Sequence, residues 1–221
     1  MLYIFKIKMK EYKILNLYAG NGGNRRKWGE LENLCNVKII VTAVEFDKKI
    51  AAIYKERFPN DTVIVADAHQ YLLDYYSQFD FIWTSPPCQT HSRANYFINY
   101  ITNSRYPKME LWQEILFLKT FCKGKFCVEN VISYYEHFVP PTAEIGRHYL
   151  WSNFSIPKID LPKGEVGTMM KQYVGTGKHA HSKKIEDRNA VNADLGLHII
   201  KRALDVDYNN SVDQIGLFNY V

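Results

Sequence analysis

The chain has 221 residues, of which 47% are hydrophobic and 23% are charged, so it can bury one sizeable core like an ordinary globular domain. This composition excludes a disordered, collagen-like or coiled-coil protein. The formal net charge of +5 is compatible with a polyanionic partner, although charge alone does not require one.

The N-terminus is apolar but does not have the pattern of a targeting segment. Lys6, Lys8 and Lys10 interrupt it, no small-residue cleavage site follows, and no later stretch is long enough to span a bilayer. We therefore expect a soluble protein of the cytoplasm with no membrane partner. Residues 1–11 precede the first predicted strand and are expected to be an N-terminal extension of it. Met9 offers an alternative start.

Short β-branched or aromatic runs alternate with longer helical patterns up to Asn130, which is typical of parallel βαβ units. The predicted strands are Tyr12–Leu17, Lys38–Val44, Thr62–Val65, Phe79–Trp83 and Lys125–Val128. The predicted helices are Asn24–Cys35, Asp47–Phe58 and Leu111–Phe121. Together they predict an α/β fold with a mostly parallel, doubly wound sheet.

The pattern changes after Val139, where it is interrupted by Pro140, Pro141, Pro157 and Pro162. Residues 163–188 are rich in Gly, Lys and His with little apolar content, which predicts a loop or a small irregular part of the chain. A helical pattern returns at Ala190–Leu204. We therefore expect a single domain over 1–221, with a small irregular C-terminal insert at 152–188.

Polar clusters follow the predicted strands, and in such a sheet the carboxyl ends of the strands share the edge where ligands bind. Gly20, Gly22 and Gly23 follow the first strand and allow a sharp turn close to a ligand. Glu45 ends the second strand and can accept hydrogen bonds from both hydroxyls of a ribose. Asp67 follows the third strand and can accept from an adenine amino group. Helix capping or a solvated turn is the alternative role for both carboxylates.

The segment SPPCQTHS, residues 85–92, follows the fourth strand. Pro86 and Pro87 stiffen the chain just before Cys88 and leave its thiol at the exit of a strand, where it can act as an activated nucleophile. The usual alternative, a buried small hydrophobe, suits the apolar surroundings of Cys35, Cys122 and Cys127. The four cysteines show no short paired spacing, so free thiols in a reducing compartment are predicted.

Five short motifs occur in the order and approximate spacing of those of cytosine-C5 DNA methyltransferases. They are LYAGNGG at 17–23, VEFD at 44–47, PPCQ at 86–89, ENV at 129–131 and RNAV at 188–191. With Asp67 they make the chain resemble a small, phage-type member of that family over about residues 12–204. The resemblance implies a class I methyltransferase fold, which is Rossmann-like, S-adenosylmethionine as cofactor, and DNA with a flipped-out cytosine as substrate.

The resemblance also implies a role for each matching residue. The catalytic residues would be Cys88, Glu129 and Arg147. The cofactor would contact Tyr18, Ala19, Gly20, Asn21, Gly22, Gly23, Glu45, Phe46, Asp67, Ala68, Pro86, Asn189 and Val191. The nucleic acid would contact Gln89, Ser92, Arg93, Arg105 and Asn130. No metal is expected, because His179 and His181 have no third ligand nearby.

The residue types suit this chemistry. A thiolate at Cys88 can add to C6 of cytosine, which makes C5 nucleophilic toward a sulfonium methyl group. Glu129 can protonate N3 or hydrogen-bond to it, which makes this addition easier. Asn130 is expected to brace the loop. The residue that later removes the C5 proton is not identified, and water is one candidate.

The chain departs from the family pattern in three places. The family has two arginines one residue apart where this chain has Arg147, His148 and Tyr149, and Arg188 replaces the glycine that usually begins RNAV. Only 41 residues, 148–188, separate Arg147 from Asn189, whereas the family usually has a much longer target-recognition region there. We therefore expect weak or short sequence specificity, with 163–188 giving phosphate contacts or forming a solvated loop.

Residues 89–108 mix cations with aromatic rings. Arg93, Arg105 and Lys108 lie among Tyr96, Phe97, Tyr100 and Tyr106. This mixture predicts a mobile flap that contacts phosphates and closes over an extruded base. The alternative is a surface loop whose rings pack on the sheet.

Three functions remain open at this point. The first is methylation of cytosine C5 in DNA, and the second is the same reaction on RNA, because members that act on tRNA share the PPC and ENV elements. The third is a non-catalytic or partner-dependent nucleic-acid binder, which the short insert and the changes at Arg147 and Arg188 suggest.

Overall fold

The computed structural model describes residues 9–35, 37–101, 105–161 and 190–206. The strands are β1 (Lys10–Leu17), β2 (Val37–Glu45), β3 (Thr62–Val65), β4 (Phe81–Thr84), β5 (Lys125–Val131), β6 (Ala143–Ile145) and β7 (His148–Ser152). The helices are α1 (Glu30–Cys35), α2 (Lys48–Arg57), α3 (Ala68–Tyr75), α4 (Asn95–Ile101), α5 (Glu110–Phe121) and α6 (Ala193–Ala203). A short 3-10 turn, Tyr76–Gln78, follows α3.

The seven strands form one sheet in the order β3-β2-β1-β4-β5-β7-β6. The five strands from β3 to β5 are parallel, and β7 and β6 pair antiparallel at the other edge. The chain builds outward from β1 in one direction and then returns to add β4 on its other side. The predicted α/β fold with a mostly parallel, doubly wound sheet is confirmed, and its switch point lies between β1 and β4.

The sheet is buried on both faces because helices cover each side. Adjacent residues of β1 point in opposite directions, so Ile14 joins one apolar cluster with Ile199 of α6, and Leu15 joins another with Ile115 of α5. All four residues of β4 are buried. This continuous burial explains why its sequence is an apolar run instead of an alternating pattern.

The antiparallel edge was missed by the sequence pattern, which predicted no strand after Val139. β6 has only three residues, and the prolines around it resemble loop punctuation. Pairing with β5 stabilises β7 instead, with Glu129 opposite Leu150 and Asn130 opposite Tyr149. Ser152, the first residue of the expected insert, is the buried end of this strand.

The helices also differ from their predicted bounds. The first predicted helix began at Asn24, but hydrogen-bonded turns precede α1, which begins at Glu30. Helices α3 and α4 were not predicted. Residues 1–8 of the expected extension and 162–188 of the expected insert lie outside the described residues. Within the described ranges, no helix combines the length and apolar character needed to cross a membrane.

Candidate active site

The register of the parallel strands brings the predicted site residues to one edge. Leu17 at the end of β1 is paired with Val44 of β2 and Thr84 of β4, and Thr84 is paired with Val128 of β5. The carboxyl-terminal parts of these strands therefore lie side by side. Glu45 and Glu129 belong to β2 and β5, and the glycine turn and the Cys88 loop follow β1 and β4.

The three glycines after β1 have different surroundings. A Cβ at Gly22 would lie 2.2 Å from the ring of Phe58, and one at Gly23 would lie 2.7 Å from the carbonyl oxygen of Val191. Gly20 has a φ of +55°, and its nearest atom would be 4.0 Å away. Gly22 and Gly23 therefore allow close packing of the chain on itself, whereas Gly20 borders open space.

Glu45 joins the end of β2 to the glycine turn. Its Oε2 accepts a hydrogen bond from the Gly20 amide at 2.9 Å, and its Oε1 accepts from the Asp47 amide at 3.0 Å. Since each carboxylate oxygen has two lone pairs, a single backbone bond leaves capacity for a ligand hydroxyl. The next side chain, Phe46, is 76% exposed.

Asp67 caps α3. Its Oδ1 accepts from the Gln70 amide at 3.0 Å, so the capping role considered as an alternative for this carboxylate is present in the structure. Asp67 is exposed, while Ala68 beside it is buried. An exposed cap residue can still offer its second oxygen to a ligand.

Glu114 of α5 is a site residue that the sequence analysis missed. It is fully buried and accepts hydrogen bonds from the Tyr18 hydroxyl and from Thr84 Oγ1, both at 2.6 Å. His69 Nδ1 lies 3.1 Å from the same carboxylate, and this hydrogen bond raises the pKa of His69. Glu114 thus connects the ends of β1 and β4 with α3. A carboxylate on the apolar face of a predicted helix was the signal that could have identified it.

Tyr18 begins the glycine turn in a strained conformation. Its φ is +52°, a left-handed value that costs a non-glycine residue free energy. Burial and the neighbouring Glu114 carboxylate raise the pKa of its hydroxyl, which therefore keeps its proton as a donor. The bond to Glu114 compensates for the strain and fixes where the turn begins.

A network of hydrogen bonds shapes the loop that carries Cys88. The amides of His91 and Ser92 both donate to the Cys88 carbonyl at 3.0 Å. The buried Asn95 side chain donates to the carbonyls of Gln89 at 2.8 Å and Ser92 at 3.0 Å. The loop is a compact turn that leads directly into α4.

Two contacts attach this loop to the segment around β5. Asn130 Nδ2 donates to the Pro86 carbonyl at 2.9 Å, and Ser92 forms an isolated antiparallel bridge with Ser133. The buried His91 also lies with Nδ1 within hydrogen-bond distance of the Tyr135 hydroxyl. Burial lowers the pKa of His91 to about 4, so its ring is neutral. These contacts place the thiol beside the strand that carries Glu129.

Cys88 is half-buried, and four influences act on its thiol. Burial is the largest and raises its pKa, and the Glu129 carboxylate raises it further. A backbone hydrogen bond and the Arg147 guanidinium lower it. The structure therefore brings together the three predicted catalytic residues. At neutral pH the resting side chain is a protonated thiol.

His148 lies within hydrogen-bond distance of Glu129. Its Nδ1 lies 2.6 Å from Oε1 of Glu129, and the two side chains are 8% and 7% exposed. The neighbouring Arg147 is exposed. Sequence reasoning assigned a catalytic role to Arg147 and none to His148. Arg147 lies in the turn before β7, whereas His148 is the first residue of that strand and is buried beside the carboxylate.

The remaining predicted residues divide by burial. Among those predicted to bind nucleic acid, Gln89, Arg93 and Arg105 are exposed. Among those predicted to bind the cofactor, Ala19 and Asn21 are buried in the glycine turn. Asn189 lies outside the described residues, as do His179 and His181. No group of three or more His, Cys, Asp or Glu side chains suited to a metal ion occurs in the described part of the chain.

Comparison with known proteins gives one family. The model of the family described as C-5 cytosine-specific DNA methylase matches residues 12–133, which include the glycine turn, Glu45, Asp67, the Cys88 loop and Glu129. No curated protein sequence matches the chain.

Solved structures show partial similarity. A DNMT2 from Spodoptera frugiperda is 25% identical with a TM-score of 0.38, and the match covers 54% of this chain and 35% of that one. The methyltransferase EhMeth from Entamoeba histolytica is 14% identical with a TM-score of 0.38, covering 55% and 38%. A conserved hypothetical protein from Streptococcus pyogenes is 14% identical with a TM-score of 0.36, covering 65% and 85%. The chain thus spans little more than a third of the first two structures.

Proposed function

Because the chain belongs to the family of C-5 cytosine-specific DNA methylases, we propose that it methylates C5 of cytosine in DNA through a covalent adduct with Cys88. The family assignment makes it a methyltransferase that uses S-adenosylmethionine. The observation that supports the proposal in this chain is the loop, attached to β5 by Asn130, that keeps the Cys88 thiol close enough to Glu129 and Arg147 for both charges to shift its pKa.

The residues at the ends of β1, β2 and β3 fit the cofactor. Open space borders Gly20, the Glu45 carboxylate has acceptor capacity for ribose hydroxyls, and Phe46 offers an exposed ring to the adenine. Asp67 would accept a hydrogen bond from the adenine amino group. When bound, S-adenosylmethionine supplies an electrophilic methyl group on a sulfonium.

Cys88 acts as the nucleophile. After it loses its proton, its sulfur forms a bond with C6 of cytosine, and the electron pair of the C5–C6 double bond moves to C5 and toward N3. Once C5 carries the methyl group, its proton leaves and the sulfur–C6 bond breaks, which restores the thiolate. Since burial and Glu129 hold the resting thiol protonated, binding of substrate must favour its ionisation.

Glu129 faces the N3 side of the base in this proposal. Its carboxyl group protonates N3 or hydrogen-bonds to it as the sulfur adds to C6, so that negative charge does not build up on the ring. His148 holds Oε1 at 2.6 Å and thereby orients the other oxygen toward the base. Arg147 contributes positive charge beside the thiol.

The proposal is tested by trapping with 5-fluorocytosine. Fluorine at C5 is not lost as a proton, so duplex DNA with this base should form a denaturant-resistant adduct when S-adenosylmethionine is present. The Cys88→Ala variant should form no adduct but should still bind the cofactor in calorimetry. If ordinary DNA is methylated while the fluorinated DNA is never trapped by the wild type, the covalent route is wrong.

A parallel assay tests the polymer. Tritiated methyl transfer to duplex DNA, tRNA and free nucleotide is measured side by side with the same protein. Transfer to DNA is the expected result. Transfer to tRNA alone would replace DNA with RNA as the substrate, and cofactor binding without any transfer would favour a non-catalytic or partner-dependent binder.

A further inference from the structure

Four aromatic side chains near the Cys88 loop are largely exposed. Their exposed fractions are 60% for Tyr96, 76% for Phe97, 93% for Tyr100 and 78% for Tyr106. We name these four residues the aromatic surface. They do not pack on the sheet, which was the alternative to a substrate-contacting flap. Contiguous exposed apolar area is uncommon on a protein without a binding role.

Helix α4 presents three of these rings on one side. Tyr96, Phe97 and Tyr100 have the spacing of one helical face, whereas Asn95 is buried toward the Cys88 loop. Tyr96 packs edge-on against Tyr134, with ring centroids 5.9 Å apart. Within the described residues, the rings of Phe97, Tyr100 and Tyr106 have no aromatic partner, so their faces are open to a ligand.

Hydrogen bonds hold the aromatic surface next to the thiol loop. The Lys108 amide donates to Thr90 Oγ1 at 3.1 Å. Since Thr90 is two residues after Cys88, this bond holds the segment after α4 against the Cys88 loop. The Tyr134 hydroxyl donates to the Arg105 carbonyl at 3.0 Å. Together with the bonds from Asn95 to the loop, these contacts keep the rings beside the site where the target base reacts.

The charge around the rings suits a polyanion. Arg93, Arg105 and Lys108 are exposed, and residues 88–109 contain no Asp or Glu. Cations interleaved with open aromatic rings form the pattern with which proteins bind single-stranded nucleic acid, since the cations follow the phosphates and the rings stack on bases. A purely apolar protein partner would not account for this excess of positive charge.

We propose that Phe97, Tyr100 and Tyr106 stack on unpaired bases beside the target cytosine, so that the enzyme prefers single-stranded or locally opened DNA to intact duplex. This inference rests on the proposed function, because it names the form of DNA on which Cys88 and Glu129 act. In an intact duplex the faces of the bases are covered by their neighbours, so aromatic rings cannot stack on them. Unpaired bases expose both faces.

The test compares binding of single-stranded and duplex DNA of the same sequence, about 15 nucleotides long, by fluorescence anisotropy with the full chain. The F97A/Y100A variant should bind the single strand roughly 5- to 150-fold more weakly than the wild type for each stacking ring that is removed. Its affinity for duplex DNA should equal that of the wild type. F121A removes a ring that is 55% exposed at the far end of α5 and should leave both affinities unchanged. Circular dichroism and cofactor binding establish that both variants are folded.

A second readout reports stacking directly. 2-Aminopurine placed next to the cytosine of the single strand should lose fluorescence on binding the wild type and keep it with F97A/Y100A. Equal binding of the single strand by wild type and variant, without quenching, would overturn the inference even if duplex DNA is methylated. The inference would also be overturned if F97A/Y100A lost affinity for RNA but not for DNA. The same holds if the variant abolished self-association of the protein without changing its affinity for DNA. Quenching without methyl transfer would instead contradict the proposed function alone.

Discussion

His148 holds the carboxyl group of Glu129 in the interior of the protein. Nδ1 of the histidine lies 2.6 Å from Oε1 of the glutamate, and both side chains are more than nine-tenths buried. A buried carboxylate without a partner carries a large desolvation cost. The pair therefore stabilises Glu129 in one orientation beside the Cys88 thiol.

The first prediction concerns His148. Replacement by Ala removes a hydrogen bond to a buried carboxylate, worth about 1.5–3 kcal/mol, and should lower methyl transfer roughly 10- to 150-fold. His148→Gln should recover part of the activity, because its amide can donate to Glu129. The matched control is His137→Gln. The ring of His137 packs against Tyr149. Initial rates of tritiated methyl transfer give the comparison, and equal rates for H148A and H137Q would contradict the role of His148.

The second prediction concerns the ionisation of Cys88. Glu129 raises the pKa of this thiol and Arg147 lowers it, so Glu129→Gln should increase the thiolate fraction at neutral pH and Arg147→Gln should decrease it. Below the pKa, thiolate changes about tenfold per pH unit. Iodoacetamide labelling across pH, resolved by mass spectrometry, should show faster labelling of Cys88 in E129Q although methyl transfer falls.

Cys122 is the internal control for this measurement. Burial raises the pKa of its thiol, but Glu129 does not contribute. Its labelling profile should therefore be the same in all three proteins. A Cys88 profile that does not move in E129Q would show that the two groups do not interact in solution.

The third prediction concerns stability and pH. The hydrogen bond to Glu114 raises the pKa of His69 in the folded state. Protonated His69 therefore stabilises the folded protein. This contribution is fully present below the ordinary histidine pKa of about 6.5 and is lost as the pH rises through the raised pKa of His69. The difference in melting temperature between the wild type and His69→Gln should be largest in acid and should shrink as pH rises. A difference that grows with pH would contradict this pair.

The fourth prediction separates two glycines. Gly20→Ala should fold, at a cost of about 1–2 kcal/mol for a left-handed residue with a side chain, but should weaken S-adenosylmethionine binding about tenfold or more, equivalent to about 1.4 kcal/mol. Gly23→Ala would place a Cβ 2.7 Å from the Val191 carbonyl oxygen, so its main effect should be a lower melting temperature. Calorimetry of cofactor binding and thermal unfolding measure the two effects. If G20A binds S-adenosylmethionine with unchanged affinity, the space beside Gly20 is not part of the cofactor site.

The local pattern of the sequence was sufficient for the parallel half of the fold. β4 is an apolar run that ends at the prolines before Cys88, and each parallel strand is followed by a turn or cap residue, so both strand positions and the ligand edge could be predicted. The strands β6 and β7 could not, because their stability comes from pairing with the distant β5. Short strands of this kind carry little periodicity of their own.

The sequence by itself determined the chemistry that is present: a thiol after two prolines, a glycine turn and carboxylates at the ends of strands. Only the tertiary structure decided which side chains face one another. It brought His148 to Glu129 and Glu114 to Tyr18, and it left the rings of α4 exposed. Contacts between residues distant in the chain depend on register and packing, which composition and spacing along the chain do not specify.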